Sequence, residues 1–137
     1  MSPAELMEPV FLALDEVLEL HAQQIERYGG SAGLRDAAAL ESAVATAQAT
    51  FGGKFLHSSI PAMAAAYLFH LCQNHPFVDG NKRVAFAVVD VFLRINGYTI
   101  SAESTSIYDH IVGLLESRSF NMEHLVPWLH EIVHERP

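Results

Sequence analysis

The sequence predicts an all-α fold: a compact bundle of about six helices with a small β-hairpin between two of them. Three observations carry this reading. Apolar residues recur at helical spacing, as at Val17, Leu18, Ile25 and Tyr28. Two stretches, residues 62–74 and 81–95, are apolar enough to be buried core helices. Caps and breakers separate the helical stretches, and no strand-like run exceeds a few residues.

Taken in order, Pro9 to Ala13 reads as a short extended piece, followed by a helix from Asp15 to Tyr28. Asp15 and Glu16 suit the positive end of that helix. Gly29-Gly30-Ser31-Ala32-Gly33 ends it; the glycine spacing matches neither the P-loop nor the dinucleotide fingerprint, so the segment reads as a C-cap and connector. Asp36 caps an alanine-rich helix from Ala37 to about Ala49. Thr50 to Leu56, two glycines between aromatic and β-branched residues, reads as a hairpin or flap. Pro61 sits at a first helical position, and the helix from Ala62 runs to about Asn74. From His75 to Gly80 there is no helical period. A second buried helix then runs from about Asn81 to Ile95, where Asn96-Gly97 stops it. Tyr98 to Ser101 is extended. Ser106 with Asp109 resembles a capping box for a helix to about Ser117. A last helix starts after Asn121 and reaches the terminus, with Pro127 awkward inside it.

Composition limits the function. The 137 residues are half hydrophobic and 18% charged, as in a folded chain, and residues 1–137 read as one domain. With 16 acids against 8 bases the net charge is −8, which disfavours direct contact with nucleic acid. The one cysteine, Cys72, has no intramolecular partner, which fits a reducing cytoplasm. Glu5, Glu8, Asp15, Glu16 and Glu19 argue against a signal peptide. The longest apolar stretches, Ile60 to Cys72 and Val84 to Leu93, fall short of the roughly 20 residues a membrane span needs.

The chemistry concentrates in His75-Pro76-Phe77-Val78-Asp79-Gly80-Asn81-Lys82-Arg83. Gly80 and Asn81 stand where a helix begins, and the unpaired amides and positive dipole of such an end bind phosphate. Gly80 lets the backbone approach an anion or take an unusual dihedral. Asn81 can cap the helix or donate to an oxyanion. Lys82 and Arg83 place two cations at the end of a helix where each costs roughly 0.3–1 kcal/mol unless an anion compensates. Asp79 beside a phosphate needs a bridging hard cation, and Mg²⁺ on one carboxylate plus phosphate oxygens is the usual solution. His75 titrates in the range that suits a general base for a hydroxyl. Pro76 and Phe77 fix the loop. From the residues alone, the same segment also fits a plain interhelical turn with a structural histidine, Asp79 as a cap and a solvated Lys-Arg pair.

His-Pro-Phe-x-Asp-Gly-Asn-x-Arg resembles the signature of the Fic/Doc family, and residues 75–83 match it. Lys82 before Arg83, and Phe86 where the broader Fic branch carries a second arginine, resemble the death-on-curing (Doc) branch. Similarity to that branch extends through Leu18 to Gly30, Gly33-Leu34-Arg35-Asp36, Leu40-Glu41-Ser42-Ala43, Thr50-Phe51-Gly52-Gly53 and Asn96-Gly97-Tyr98. The resemblance implies a compact helical domain with the motif joining two central helices. It implies His75 as the base that deprotonates a target hydroxyl and Asp79 as the Mg²⁺ ligand. Gly80 and Asn81 match the anion-hole positions, and Lys82 and Arg83 the phosphate contacts. A target-docking flap is expected at Phe51, Gly52, Gly53, Lys54 and Phe55. Doc-type members are toxins of type II toxin–antitoxin modules. They phosphorylate a protein hydroxyl with ATP bound in reversed orientation, which implies a threonine of translation elongation factor Tu as target and an antitoxin protein as partner. The broader Fic branch transfers AMP instead, and Asp79-Gly80 is closer to that branch than the Asp-Ala of a well-studied Doc toxin. The inhibitory Ser/Thr-x-x-x-Glu-Gly/Asn helix has no counterpart, since no glutamate is followed by glycine or asparagine.

Two other classes compete. His130-Glu131-Ile132-Val133-His134 is a literal H-E-x-x-H, the pattern of a zinc metalloprotease, although the chain ends three residues later with no third ligand. A non-catalytic binding module would be expected to have lost one of His75, Asp79, Asn81 or Arg83, and none is lost. His21 and His57 read as structural or surface groups, Asp90 and Arg94 as an i,i+4 ion pair, and Tyr67 and Trp128 as core packing.

Overall fold

The computed structural model describes residues 8–101 and 103–137; residues 1–7, which include Glu5, and Ala102 lie outside them. Among the described residues there are six helices: α1 (Leu14–Tyr28), α2 (Ala37–Thr46), α3 (Ile60–Asn74), α4 (Asn81–Ile95), α5 (Ser104–Glu116) and α6 (Met122–Ile132). Two short antiparallel ribbons accompany them. β1 (Thr50–Phe51) pairs with β2 (Lys54–Phe55), and β3 (Tyr98–Ile100) pairs with β4 (Val133–Glu135). The architecture is mostly helical, as the sequence reading expected. Among the described residues, no helix is long and apolar enough to cross a membrane.

α3 is the axis of the core. Ser59 caps it by accepting the Ala62 amide, and every side chain from Ala62 to Leu68 is buried, together with Leu71 and Cys72. Its alanines let α2, α4 and α6 pack close around it. α4 lies against α3 through Val84, Val88, Val89, Phe92 and Leu93, and α1 covers the far side of α4. Tyr67 is fully buried, and its hydroxyl accepts the Leu12 amide at 3.2 Å. Burial pushes that phenol up to about 12, against the pull of the Leu12 amide. Asn96, just past α4, accepts the Val10 amide and donates to the Val10 carbonyl, which pins the extended residues before α1. Phe11 then packs on Phe55 and Phe92, with centroids 5.7 and 5.9 Å away.

Three element boundaries differ from the sequence reading. α2 ends at Thr46, not near Ala49, because the Ala49 carbonyl is taken by Leu56 N–H as the chain enters the β1–β2 hairpin. α5 begins at Ser104, so Ser106 lies in its first turn and does not cap it. α6 passes through Pro127, capped by the Asn121 side chain on His124 N–H, but it stops at Ile132. Val133 turns extended, and residues 133–135 pair with β3, a strand the sequence reading missed.

His57 and His70 sit near one another in half-buried positions, and His57 Nε2 is buried without a partner. Burial lowers both imidazoles below their ordinary value, and for His70 the neighbouring His57 adds to it. The folded state thus binds fewer protons than the unfolded chain below pH about 6.5, so the stability is present above that pH and is lost as pH falls. The melting temperature should be flat from pH 8 to 7 and decline on acidification, with a shallower decline in a His57→Gln/His70→Gln variant. Thermal melts across that range check it.

Candidate active site

The site starts from one turn. α3 ends at Asn74, and His75 takes a left-handed conformation, φ 47 and ψ 55. For a residue with a Cβ this costs about 1–3 kcal/mol, and neighbours must hold it. Arg35 does so: its Nε donates to the His75 carbonyl and a terminal guanidinium N–H donates to the Asn74 carbonyl at 2.8 Å. A cation on the last carbonyls of α3 is also favoured by the helix dipole. Backbone bonds lay residues 29–36 along the motif. Arg35 and Asp36 amides donate to the Pro76 carbonyl, Val78 N–H donates to Gly33, and Leu34 and Phe77 form an antiparallel bridge. Phe77 is buried, stacked on the His21 ring at 3.7 Å and 7°. His21 Nε2 donates to the Asp79 carbonyl at 2.7 Å.

Asn81 closes the turn from within, and at 7% exposure it is one of the few buried polar residues. Its Oδ1 accepts the Phe77 amide at 3.0 Å, which fixes the orientation of the side chain, since that amide can only donate. Nδ2 then donates to the Phe77 carbonyl at 3.0 Å and meets His75 Nδ1 at 3.2 Å. His75 Nδ1 is therefore an acceptor, and the neutral ring carries its proton on Nε2. The cap expected of Asn81 is absent. Gly80 occupies the N-cap, and the Asn81 side chain faces back into the loop, because the left-handed Gly80 turns the helix start away from it.

Asp79 is held by two backbone amides: Gly80 N–H on Oδ1 at 2.9 Å and Ser31 N–H on Oδ2 at 3.1 Å. Gly30 makes this possible, because a Cβ there would lie 2.7 Å from Asp79 Oδ2. Gly80 takes φ 75, which strains any residue with a Cβ, and the end of the Ile25 side chain lies 3.2 Å from where that Cβ would sit. Among the described residues, no three His, Cys, Asp or Glu side chains are grouped to cage a metal. One carboxylate with free lone pairs fits a Mg²⁺ that arrives with phosphate oxygens, not a metal held by protein alone.

The first helical bond of α4 runs from Val84 N–H to the Gly80 carbonyl, so the amides of residues 81–83 are free for an anion. Lys82 and Arg83 flank them, both exposed. Arg94–Asp90, at 3.1 Å, is the only ion pair among the described residues, so no carboxylate neutralises Lys82 or Arg83. Arg83 lies over the Tyr28 ring, 4.5 Å from its centroid. His75, Asp79, Gly80, Asn81, Lys82 and Arg83 all line one cleft of 330 Å³, with Val78 and Tyr108. Cys72 lies nearby but is inert: burial pushes its thiol up to about 12, against the pull of Lys82.

The structure separates the other candidates from this cleft. Residues 51–55 do form the hairpin, but none of Phe51, Gly52, Gly53, Lys54 and Phe55 lines the cleft. The hairpin precedes α3, whose 15 residues span about 22 Å, and His75 is at the other end. The segment that flanks the motif is residues 29–36, of which Gly29 to Gly33 read from sequence as a C-cap and connector. The H-E-x-x-H pattern is not a helical face. His130 lies in the last turn of α6 and meets Ser59 Oγ at 3.1 Å, while His134 lies in β4 and meets Ser101 Oγ at 3.1 Å. Arg35, His21, Tyr28 and Tyr108 went unread as site residues. The resemblance quoted through Leu18 to Gly30 and around Arg35 covers the first three but assigns them no role, and Tyr108 lies outside it.

A motif that joins two central helices of a bundle and gathers base, acid, amide and cations at one helix start defines the class. The chain belongs to the Fic/DOC family, whose sequence model matches residues 11–93. It is 43% identical over 76 residues to the Toxin Doc of Mycolicibacterium smegmatis, a match covering 56% of this chain and 58% of that protein. It is 32% identical over 99 residues to the Protein kinase doc of Escherichia phage P1, covering 72% of this chain and 77% of that one.

Replacing Asn81 by alanine strands the Phe77 amide and carbonyl and frees His75. The expected loss of stability is about 1–3 kcal/mol, measured by chemical denaturation. Asn81→Asp, which keeps the acceptor but not the donor, should recover part of it. An unchanged midpoint in Asn81→Ala would contradict the clamp.

Proposed function

We propose that this chain is a Doc-type toxin, a Mg²⁺- and ATP-dependent protein kinase acting on a serine or threonine hydroxyl. The observation that carries the reading is the single cleft in which His75, Asp79, Asn81, Lys82 and Arg83 meet the open end of α4. The names of the two Doc relatives, a toxin and a protein kinase, support the class of activity. By family resemblance the target is elongation factor Tu, whose modification stops translation in the cytoplasm, and the partner is an antitoxin protein.

In the proposed reaction, the γ-phosphoryl group lies on the amides of residues 81–83 with Lys82 and Arg83 beside it. A Mg²⁺ held by Asp79 and phosphate oxygens would neutralise charge on the triphosphate. The target hydroxyl oxygen attacks the γ-phosphorus, the bond to the β-bridging oxygen breaks, ADP leaves, and the hydroxyl proton passes to His75. Asn81 links the two halves of this step. When an anion takes one of its amide hydrogens, His75 Nδ1 is released and the ring can exchange tautomer to receive the proton. Residues 29–36 take over the docking role first assigned to residues 51–55. The exposed Tyr28, Leu34 and Val78 give the target an apolar rim beside the cleft.

The positive φ of Gly80 favours glycine whichever group is transferred, so this residue does not by itself choose between the two reactions. ATP labelled at the γ or the α position, incubated with purified elongation factor Tu, separates the two. Label from γ is expected, with none from α. His75→Ala should slow it by about 10²–10⁴. Transfer from α would make this an AMP transferase; transfer undiminished in His75→Ala would remove the base.

A further inference from the structure

The proposed reaction gives His21 no part, yet this residue is 5% exposed and turned toward the motif. It stands on one stripe of α1 with Ile25 and Tyr28, spaced i, i+4 and i+7. Each of the three meets the motif. Tyr28 lies under the Arg83 guanidinium. The Ile25 side chain fills the space beside Gly80. The His21 ring stacks on Phe77, and its Nε2 donates to the Asp79 carbonyl. That carbonyl can only accept, so Nε2 carries the proton.

The Asp79 carbonyl and the Gly80 N–H belong to one planar peptide. The N–H end donates to Asp79 Oδ1 at 2.9 Å, and the carbonyl end accepts from His21 at 2.7 Å. The plane is fastened at both ends. If it turned, the Gly80 N–H would swing off the carboxylate and only the Ser31 N–H would stay on it. The ring is buried and packs within 3.6 Å of where a Gly80 Cβ would sit, which leaves water no easy way to replace the donor.

We propose that His21 is a positioning residue for the cation site: through the 79–80 peptide it sets the aim of the Asp79 carboxylate. The proposal rests on the reading of Asp79 as the Mg²⁺ ligand, and it gives one side chain two separable tasks. Stacking on Phe77 holds the loop. The Nε2 donor aims the acid. A hydrogen-bond partner behind a metal ligand is worth about 10–100-fold in metal affinity.

Two variants divide these tasks. His21→Phe keeps a flat ring against Phe77 and loses the donor. His21→Gln loses the ring and places an amide N–H near where Nε2 stood. Calorimetric titration of ATP into the full chain, in EDTA and at a series of Mg²⁺ concentrations, gives the metal-free affinity and the Mg²⁺ midpoint. Melting curves show whether each variant is folded. In His21→Phe the Mg²⁺ midpoint should rise about tenfold or more, while the metal-free affinity holds. In His21→Gln the midpoint should stay near that of the wild type, although the protein melts at a lower temperature. An unmoved midpoint in a folded His21→Phe chain overturns the proposal. So does a tenfold rise in His21→Gln, which decides the question whether or not the Phe variant folds. A wild-type chain whose ATP affinity is indifferent to Mg²⁺ removes the reading of Asp79 as a metal ligand, and this proposal with it.

Discussion

The left-handed turn at His75, held by Arg35, is the constraint on which the rest depends. It reverses the chain between two buried helices within six residues, so the end of α3 and the start of α4 face the same space. The two ends are treated in opposite ways. The terminal carbonyls of α3 receive a cation from the protein itself, the Arg35 guanidinium. The amides at the start of α4 receive nothing from the protein and stay open to an anion from outside. One end is finished and the other is left reactive. That asymmetry makes the turn a site and not only a connection.

Holding the turn requires a second layer. Residues 29–36 supply it by pairing along the motif backbone, and His21 supplies it by stacking on Phe77 while donating to the Asp79 carbonyl. Glycine appears where this layer is tightest. Gly30 leaves room for the Asp79 carboxylate, and Gly80 leaves room for Ile25 while taking a positive φ. The acid is thereby aimed by two amides and not by a salt bridge, so its lone pairs remain available for a cation.

The helices were legible because burial imposes a period. α4 was read to the residue, since Gly80 and Asn96-Gly97 bound a strongly apolar run. The motif cleft was legible because its chemistry is local in sequence. What escaped depends on pairing across distance. β4 forms because the edge of β3 is available at its side, and nothing in residues 133–135 announces that partner. The flap expected at residues 51–55 is a hairpin, but it does not line the cleft. Only the length of α3 shows that this hairpin lies away from His75. Residues 29–36 look like a linker because their hydrogen bonds are made to residues about 40 positions away.

The charge distribution is compatible with the polyanionic ligand of the proposed function, although the protein is acidic. A net charge of −8 repels phosphate at long range, but salt screens charges beyond about 8 Å, so groups lining the cleft dominate there. Within that range stand Lys82, Arg83 and the α4 amides, with Asp79 as the one opposing charge and a cation site in its own right. A phosphate bound there would be held by local geometry and not steered from afar. The proposed protein target would meet a different surface. Tyr28, Leu34 and Val78 are exposed around the same opening, and apolar contact is insensitive to net charge. Under the proposed function, cations at short range would face the nucleotide and an apolar rim would face the protein substrate, so that two chemically unlike molecules would meet at His75 without competing for the same groups.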